Sequence, residues 1–244
     1  MKSLTFVLEG KTAMFKKPDV NTYAYFTYNN IPKISLLGIL GAVIGLQGYN
    51  QQKAVYPEFY EKLSELKVSI IPLSQNGYFS KKIQVMNNTT GYYNKDAKKI
   101  PCTLNYREQW LFAPKWRIYL MDDNSVDKEL FDKLADYLMN KKCEYLPYLG
   151  KNEHPAYINS AELVELKEVQ EVDCIHSLFS SDIKVESTSE EDLIYHLEES
   201  LPVKLNNVDN SYIFETFTFT NLLIKDYPTS TRVYKHLGRN LYFY

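Results

Sequence analysis

The chain has 244 residues, 45% of them hydrophobic, with 21 Tyr and 12 Phe, enough for a core domain and a smaller companion. No run reaches the ~18–20 apolar residues of a membrane span, and Met1–Glu9 turns acidic too soon for a signal peptide, so a cytoplasmic protein is expected. The net charge of −2 hides a split, with 16 Lys+Arg against 7 Asp+Glu in residues 1–121 and 12 against 23 beyond. That split suggests one polyanion-binding face and another of different use, or merely uneven solvated charge.

Leu4 to Glu9 reads as a buried strand, and Gly10 to Pro18 leave it as a loop carrying Lys11, Lys16 and Lys17. Asn21 to Tyr28 is aromatic and polar, an edge strand or an ordered loop. Pro32 to Gly48 is the most apolar stretch, with Gly38, Gly41, Gly45 and Gly48 spaced 3, 4 and 3 on one helical stripe. Four helical glycines cost roughly 2–4 kcal/mol relative to alanine, so a sheet, a second backbone or a ligand is expected against that face. Pro32 reads as an extended lead-in and Ser35 as the N-cap, and the helix start beside Lys33 is a natural phosphate seat. The expected division is that Gly41 and Gly45 pack while Lys33, Ser35 and Gly38 meet phosphate; a plain core helix fits the same pattern.

Tyr56 to Leu66 reads as a short helix and Leu66 to Leu73 as a strand, with Gln75-Asn76-Gly77 turning into a partner strand, Tyr78 to Met86, that carries Lys81 and Lys82. Asn87 to Asn105 is too long for a simple connection and interleaves Tyr92 and Tyr93 with Lys95, Lys98 and Lys99. Lysines meet phosphates, and rings stack on bases at ~1–3 kcal/mol per base; a solvated hairpin is the competing reading. Arg107 to Met121 returns to the sheet. Asp127 to Lys142 is an amphipathic helix with Leu130, Phe131, Leu134 and Leu138 inward, Tyr145 to Pro155 a compact turn, and Glu162 to Val172 the closing strand. Strand, helix, strand, strand, helix, strand is the split βαβ plan. The expected class is α+β: a ferredoxin-like domain over residues 1–172 with an insertion at about 87–105, and a small β-rich domain over 173–244. Within the latter, Ser177 to Ser189 reads as a linker, Glu190 to Ser200 as a short acidic helix and Tyr212 to Thr220 as an alternating strand.

No phosphate-cradling glycine loop occurs, so no nucleotide cofactor is expected. His154, His176, His196 and His236 sit at no metal-ligand spacing, and Cys102, Cys143 and Cys174 are few and scattered, which argues for a reducing compartment and against a metal site. Tyr234-Lys235-His236 is the one cluster suited to acid–base work on a phosphodiester, though surface residues so placed are common.

Several stretches together resemble the CRISPR-associated "Cas five" family of RAMP proteins, and its type I-B branch most closely. They are Gly10 with Ala13 to Pro18; Pro32 to Gly48; Asn105 to Gln109 with Pro114 to Leu120; and Tyr148 to Ala156, in the family's order over roughly residues 1–170. The resemblance implies an RNA-binding subunit of the Cascade surveillance complex, in which the ferredoxin-like (RRM/RAMP) domain grips the 5′ handle of the CRISPR RNA. It also implies a thumb hairpin at Asn87–Asn105 that touches the backbone subunit and the RNA–target duplex. A second partner that it implies is the large subunit, with target DNA met only indirectly, and no membrane partner is expected. One branch of the family cuts precursor RNA with a tyrosine and a Lys-His pair in the first domain; no histidine precedes His154 here, so a non-catalytic chain is expected. The residues expected to touch RNA are Lys16, Lys17, Lys33, Ser35, Lys81, Lys82, Tyr92, Tyr93, Lys95, Lys98, Lys99, Arg107, Gln109 and Lys151. A metal-independent endoribonuclease and a protein-only scaffold are the alternatives.

Overall fold

Strand β1 (Lys2–Glu9) is buried from Ser3 to Val7 and through Leu8 on both of its faces, and the other elements are laid around it. In the computed structural model, residues 1–18, 23–49, 56–75, 77–88, 95, 103–186 and 194–244 are described. After β1 come β2 (Thr12–Ala13), α1 (Lys33–Ile44), α2 (Glu58–Leu63), β3 (Val68–Pro72), β4 (Lys81–Asn88) and β5 (Leu104–Phe112). Then follow β6 (Lys115–Asp122), α3 (Lys128–Met139) and β7 (Tyr157–Glu165). The rest adds β8 (Lys167–Val169), β9 (Phe179–Ser180), β10 (Lys184–Glu186), β11 (His196–Leu205), β12 (Tyr212–Thr220), β13 (Leu223–Asp226), β14 (Val233–His236) and β15 (Arg239–Tyr242).

The protein is mixed α/β, with antiparallel sheets and few helices. The central sheet has the order β3-β6-β1-β7, antiparallel throughout. Alternation along each strand gives the sheet two apolar faces. Leu4, Phe6, Leu8, Ile118 and Leu120 join Leu36, Leu37, Leu40, Leu134 and Leu138 of α1 and α3 in the main core. On the far face Ile71, Tyr119 and Met121 pack against Leu166, Tyr234 and Leu241. The buried hydroxyls of Ser3 and Thr5 are satisfied by donating to the carbonyls of Leu120 and Ile118. Both faces are therefore covered, the far one by the sheet β15-β14-β8. Leu201, Val203, Leu205, Phe217 and Phe219 of β11 and β12 belong to the same main core as α1.

Several expectations need correction. Tyr78 to Met86 is not the partner of Leu66 to Leu73: β3 pairs with β6, while β4 pairs with β5 in a separate sheet with β2. Leu201, Val203 and Leu205 bury every second residue, so His196–Leu205 is a strand where Glu190 to Ser200 read as helical; residues 187–193 lie outside the described residues. The closing strand starts at Tyr157, and Lys167–Val169 leaves it for β14. Helix α1 ends at Ile44, its N-cap is Pro32 without a side-chain bond, and Ser35 lies inside the first turn. Helix α3 is capped by Asp127, whose carboxylate accepts from the Leu130 N–H, and Lys141-Lys142 fall beyond it.

Only part of the glycine stripe packs. A Cβ on Gly41 would stand 2.6 Å from Phe59 Cβ, so α2 crosses α1 where α1 has no side chain. Gly45 is the left-handed C-cap at φ 86°, Gly38 has only ordinary contact at 3.9 Å, and nothing stands within 4 Å of a Cβ on Gly48. The last carbonyls of α1 find donors elsewhere: Ala42 from Tyr145 N–H, Val43 from Glu144 N–H, and Ile44 from the Lys133 ammonium. Thermal denaturation should separate the two glycines. Gly38→Ala should raise stability by up to about 1 kcal/mol through helix propensity. Gly41→Ala should lower it by about 1–3 kcal/mol through the clash with Phe59.

Candidate nucleic-acid interface

Between β3 and β6 the chain leaves the central sheet as a ribbon, β4–β5, paired from Lys81 opposite Leu111 to Asn88 opposite Leu104. Two short segments brace the other edge of β5. Strand β2 pairs with Leu111 and Phe112, and Tyr25 exchanges backbone bonds with Arg107 and Gln109. Alternation puts Tyr106, Glu108, Trp110 and Phe112 on one ribbon face, with Lys82, Gln84 and Met86 opposite. Neighbouring side chains on that face stand roughly 7 Å apart along the strand.

The root of this face is a polar knot. Glu108 is buried, and its carboxylate accepts from the Trp110 indole at 2.9 Å and the Lys151 ammonium at 2.8 Å. The Trp110 ring stands edge-on to His154 at 4.7 Å, and His154 Nδ1 lies 2.7 Å from Thr12 Oγ1. Burial holds the His154 imidazole below its ordinary pKa, hence neutral. Burial opposes the charge on Lys151, but its bond to Glu108 prevails and raises its pKa. Beside the knot, toward β6, the face opens to solvent. Phe112 is 47% exposed with the Lys82 ammonium 3.8 Å from its ring centre, and the Lys16 ammonium stands 3.9 Å from the ring of Tyr25. Exposed rings with adjacent ammonium groups can stack planar ligands and neutralise phosphate together. On the other face Ile83 and Val85 are exposed, an apolar surface that a hairpin seldom leaves without a partner.

The expected contact residues divide under this geometry. Lys16, Lys81, Lys82, Arg107 and Lys95 are exposed, and Ser35 and Gln109 are half-buried. Lys17 lies 3.2 Å from Glu199, whose carboxylate also accepts from the backbone of Asn29 and Asn30, so its charge is matched internally. Lys151 is held by Glu108. Tyr92, Tyr93, Lys98 and Lys99 lie outside the described residues. Lys33 does not sit at a solvent-facing helix start. It is buried, its ammonium donates to the Tyr244 carbonyl at 3.1 Å, and burial lowers its pKa to about 8. The bare face of α1 meets Phe59. Trp110, Phe112, Tyr106 and Tyr25 were absent from the sequence-based set, yet aromatic residues at every second position around Glu108 are a readable strand signal.

No family profile matches the sequence, and no curated protein matches it. Solved structures do match. The chain is similar to a CRISPR protein from Archaeoglobus fulgidus at 11% identity and a TM-score of 0.54, over 99% of this chain and 98% of that one. It is also similar to a chain of a CRISPR RNA-guided surveillance complex at 12% identity and a TM-score of 0.51, over 91% and 90%. At such identities the likeness is one of fold: this chain has, along nearly its whole length, the fold of CRISPR-associated proteins. Among the described residues no helix is long and apolar enough to cross a membrane.

Two substitutions test the assignments made here. Lys33 binds its proton less tightly in the folded chain, so on its account stability rises as pH climbs from about 8 toward 10.5 and is flat below. Lys33→Met should be at least as stable as the wild type at pH 7, because Tyr244 O keeps the Val68 N–H, and should lose that alkaline increment in chemical denaturation. Lys151→Met leaves Glu108 short of a partner and should cost roughly 1–3 kcal/mol, with Glu108→Gln in the same chain restoring part of it in a double-mutant cycle.

Proposed function

We propose that this protein is a non-catalytic subunit of a type I-B CRISPR Cascade complex that holds the 5′ handle of the guide RNA. The observation that carries this reading is the inserted ribbon, whose rings and ammonium groups suit single-stranded RNA, on a fold similar to a chain of an RNA-guided surveillance complex. The strand order β3-β6-β1-β7 with α1 and α3 in the core suits a ferredoxin-like domain, and a ribbon leaving it between β3 and β6 suits the thumb that the resemblance implies. Exposed Ile83 and Val85 suit contact with a backbone subunit, and the acidic carboxyl-terminal half suits the large subunit. Sequence specificity would then rest on base pairing by the guide.

The non-catalytic reading is supported by where the candidate acid–base groups lie. Tyr234 is 6% exposed beneath Phe243, and His236 is turned to Tyr119, with Nδ1 3.2 Å from the phenol oxygen. His154 is buried. These placements favour cohesion over attack on a phosphodiester.

Fluorescence anisotropy with a labelled handle RNA tests the reading. Lys16→Glu and Lys82→Glu should each weaken binding and flatten the plot of log K against log salt by about 0.7 per lost phosphate contact on a single strand. A salt-independent, sequence-blind response would leave a protein-only scaffold. Metal-independent cleavage of repeat RNA, abolished by His236→Ala, would make it an endoribonuclease.

A further inference from the structure

A groove runs along helix α1 on the side not used by Phe6 and the sheet. Its floor is Ser35, Gly38 and Ala42, and its walls are Tyr49, Tyr145, Tyr148 and Tyr212, around a hollow of about 570 Å³. A smaller hollow continues it past Ser35, Gly150 and Tyr212 to Lys16 and Tyr28. Beyond Leu146 and Tyr148 a third hollow, of about 620 Å³, reaches Lys141 and Lys142. The groove thus joins the Lys16–Tyr25 corner of the candidate interface at one end and a lysine pair at the other.

Three features say what fits it. In a chain with 30 acidic residues, no Asp or Glu is among the described residues lining the three hollows, and three lysines are, Lys16, Lys141 and Lys142, the last also bonded to Asp136 at 3.0 Å. The four tyrosines are 44–52% exposed, which leaves ring faces open to a planar ligand. The floor is kept low because Gly38 has no side chain and a Cβ there would meet nothing closer than 3.9 Å, so α2 does not require that glycine. Missing acids, cations at both ends and successive open rings fit an unpaired nucleic-acid strand, bases on tyrosines and phosphates toward the lysines.

We propose that the α1 groove holds an unpaired RNA segment continuous with the one on the ribbon, stacked on Tyr145, Tyr148 and Tyr212 with Lys16 at the junction. The inference rests on the RNA-binding reading above and adds a second contact surface. Photo-crosslinking tests it, using the full chain and a fluorescein-labelled oligouridylate of about 8 nucleotides carrying 4-thiouridine, within the site sizes of single-strand binders. The wild type should crosslink at Tyr145, Tyr148 or Tyr212. Tyr145→Ala with Tyr212→Ala should lose at least about fivefold in affinity. Gly38→Leu, which fills the floor without a backbone clash, should remove the groove crosslinks without lowering Tm. Crosslinks confined to Trp110 and Phe112, with affinity unchanged in all groove variants, would overturn the groove and leave the ribbon reading intact, making the groove a protein contact. No binding of the oligonucleotide at either surface would overturn both.

Discussion

The constraint on which the molecule turns is that its central sheet is closed on both faces. A four-stranded sheet that reads RNA directly shows aromatic rings on its free face. Here the ring in that position, Tyr119, is 1% exposed, edge-on to His236 and packed in one cluster with Tyr234 and Leu241. Burying those side chains stabilises the fold at about 25 cal/mol per Å² of apolar surface. It also removes the face from any ligand. Among the described residues, open rings lie off the sheet on the ribbon, where Lys82 stands over Phe112, and along α1, where Tyr145, Tyr148 and Tyr212 are exposed.

Close backbone approaches fix the shape of those surfaces. Gly150 has φ 90°, and a Cβ there would fall on the Met14 carbonyl, so only glycine lets the segment after Tyr148 lie against the chain leaving β1. The stretch Glu144-Tyr145 then reaches the end of α1 and donates to its free carbonyls. The walls of the groove are set by main-chain bonds, which hold the tyrosines at fixed height over the small residues of α1.

What the sequence disclosed follows from period and symmetry. Helix α3 was legible because Phe131, Leu134 and Leu138 lie on one face with acids at its start. The strands of the central sheet were legible as short apolar runs, although which runs pair was not, because pairing depends on distant partners. Lys33 was misplaced for a reason the sequence did contain. Lys33 stands at i, i+4, i+7 with Leu37 and Leu40, on the apolar side of α1 and away from the Ser35-Gly38-Ala42 side, so the periodicity places it toward the core. The ribbon face is carried by the period-two placement of Tyr106, Glu108, Trp110 and Phe112 along one strand, a signal weaker than the Tyr/Lys composition of residues 92–99. The pairing of Glu108 with Lys151 across 43 positions carries no local signal at all.

That pairing also ties the ribbon to the groove along α1. The turn from Pro147 to Ala156 is stitched to itself by Leu149 N–H to the His154 carbonyl at 2.7 Å and Ala156 N–H to the Pro147 carbonyl at 3.0 Å. One side of it presents Lys151 and His154 to Glu108, Trp110 and Thr12 at the ribbon root. Its other side contributes Pro147, Tyr148, Asn152 and Pro155 to the groove. A charge pair at 4% exposure on the Glu108 side is costly to separate, since Glu108 alone would stay buried without its cation. Ribbon root and groove are therefore held at a fixed distance and angle. A strand that bound both, as proposed, would meet its second surface without a further cost in ordering the protein.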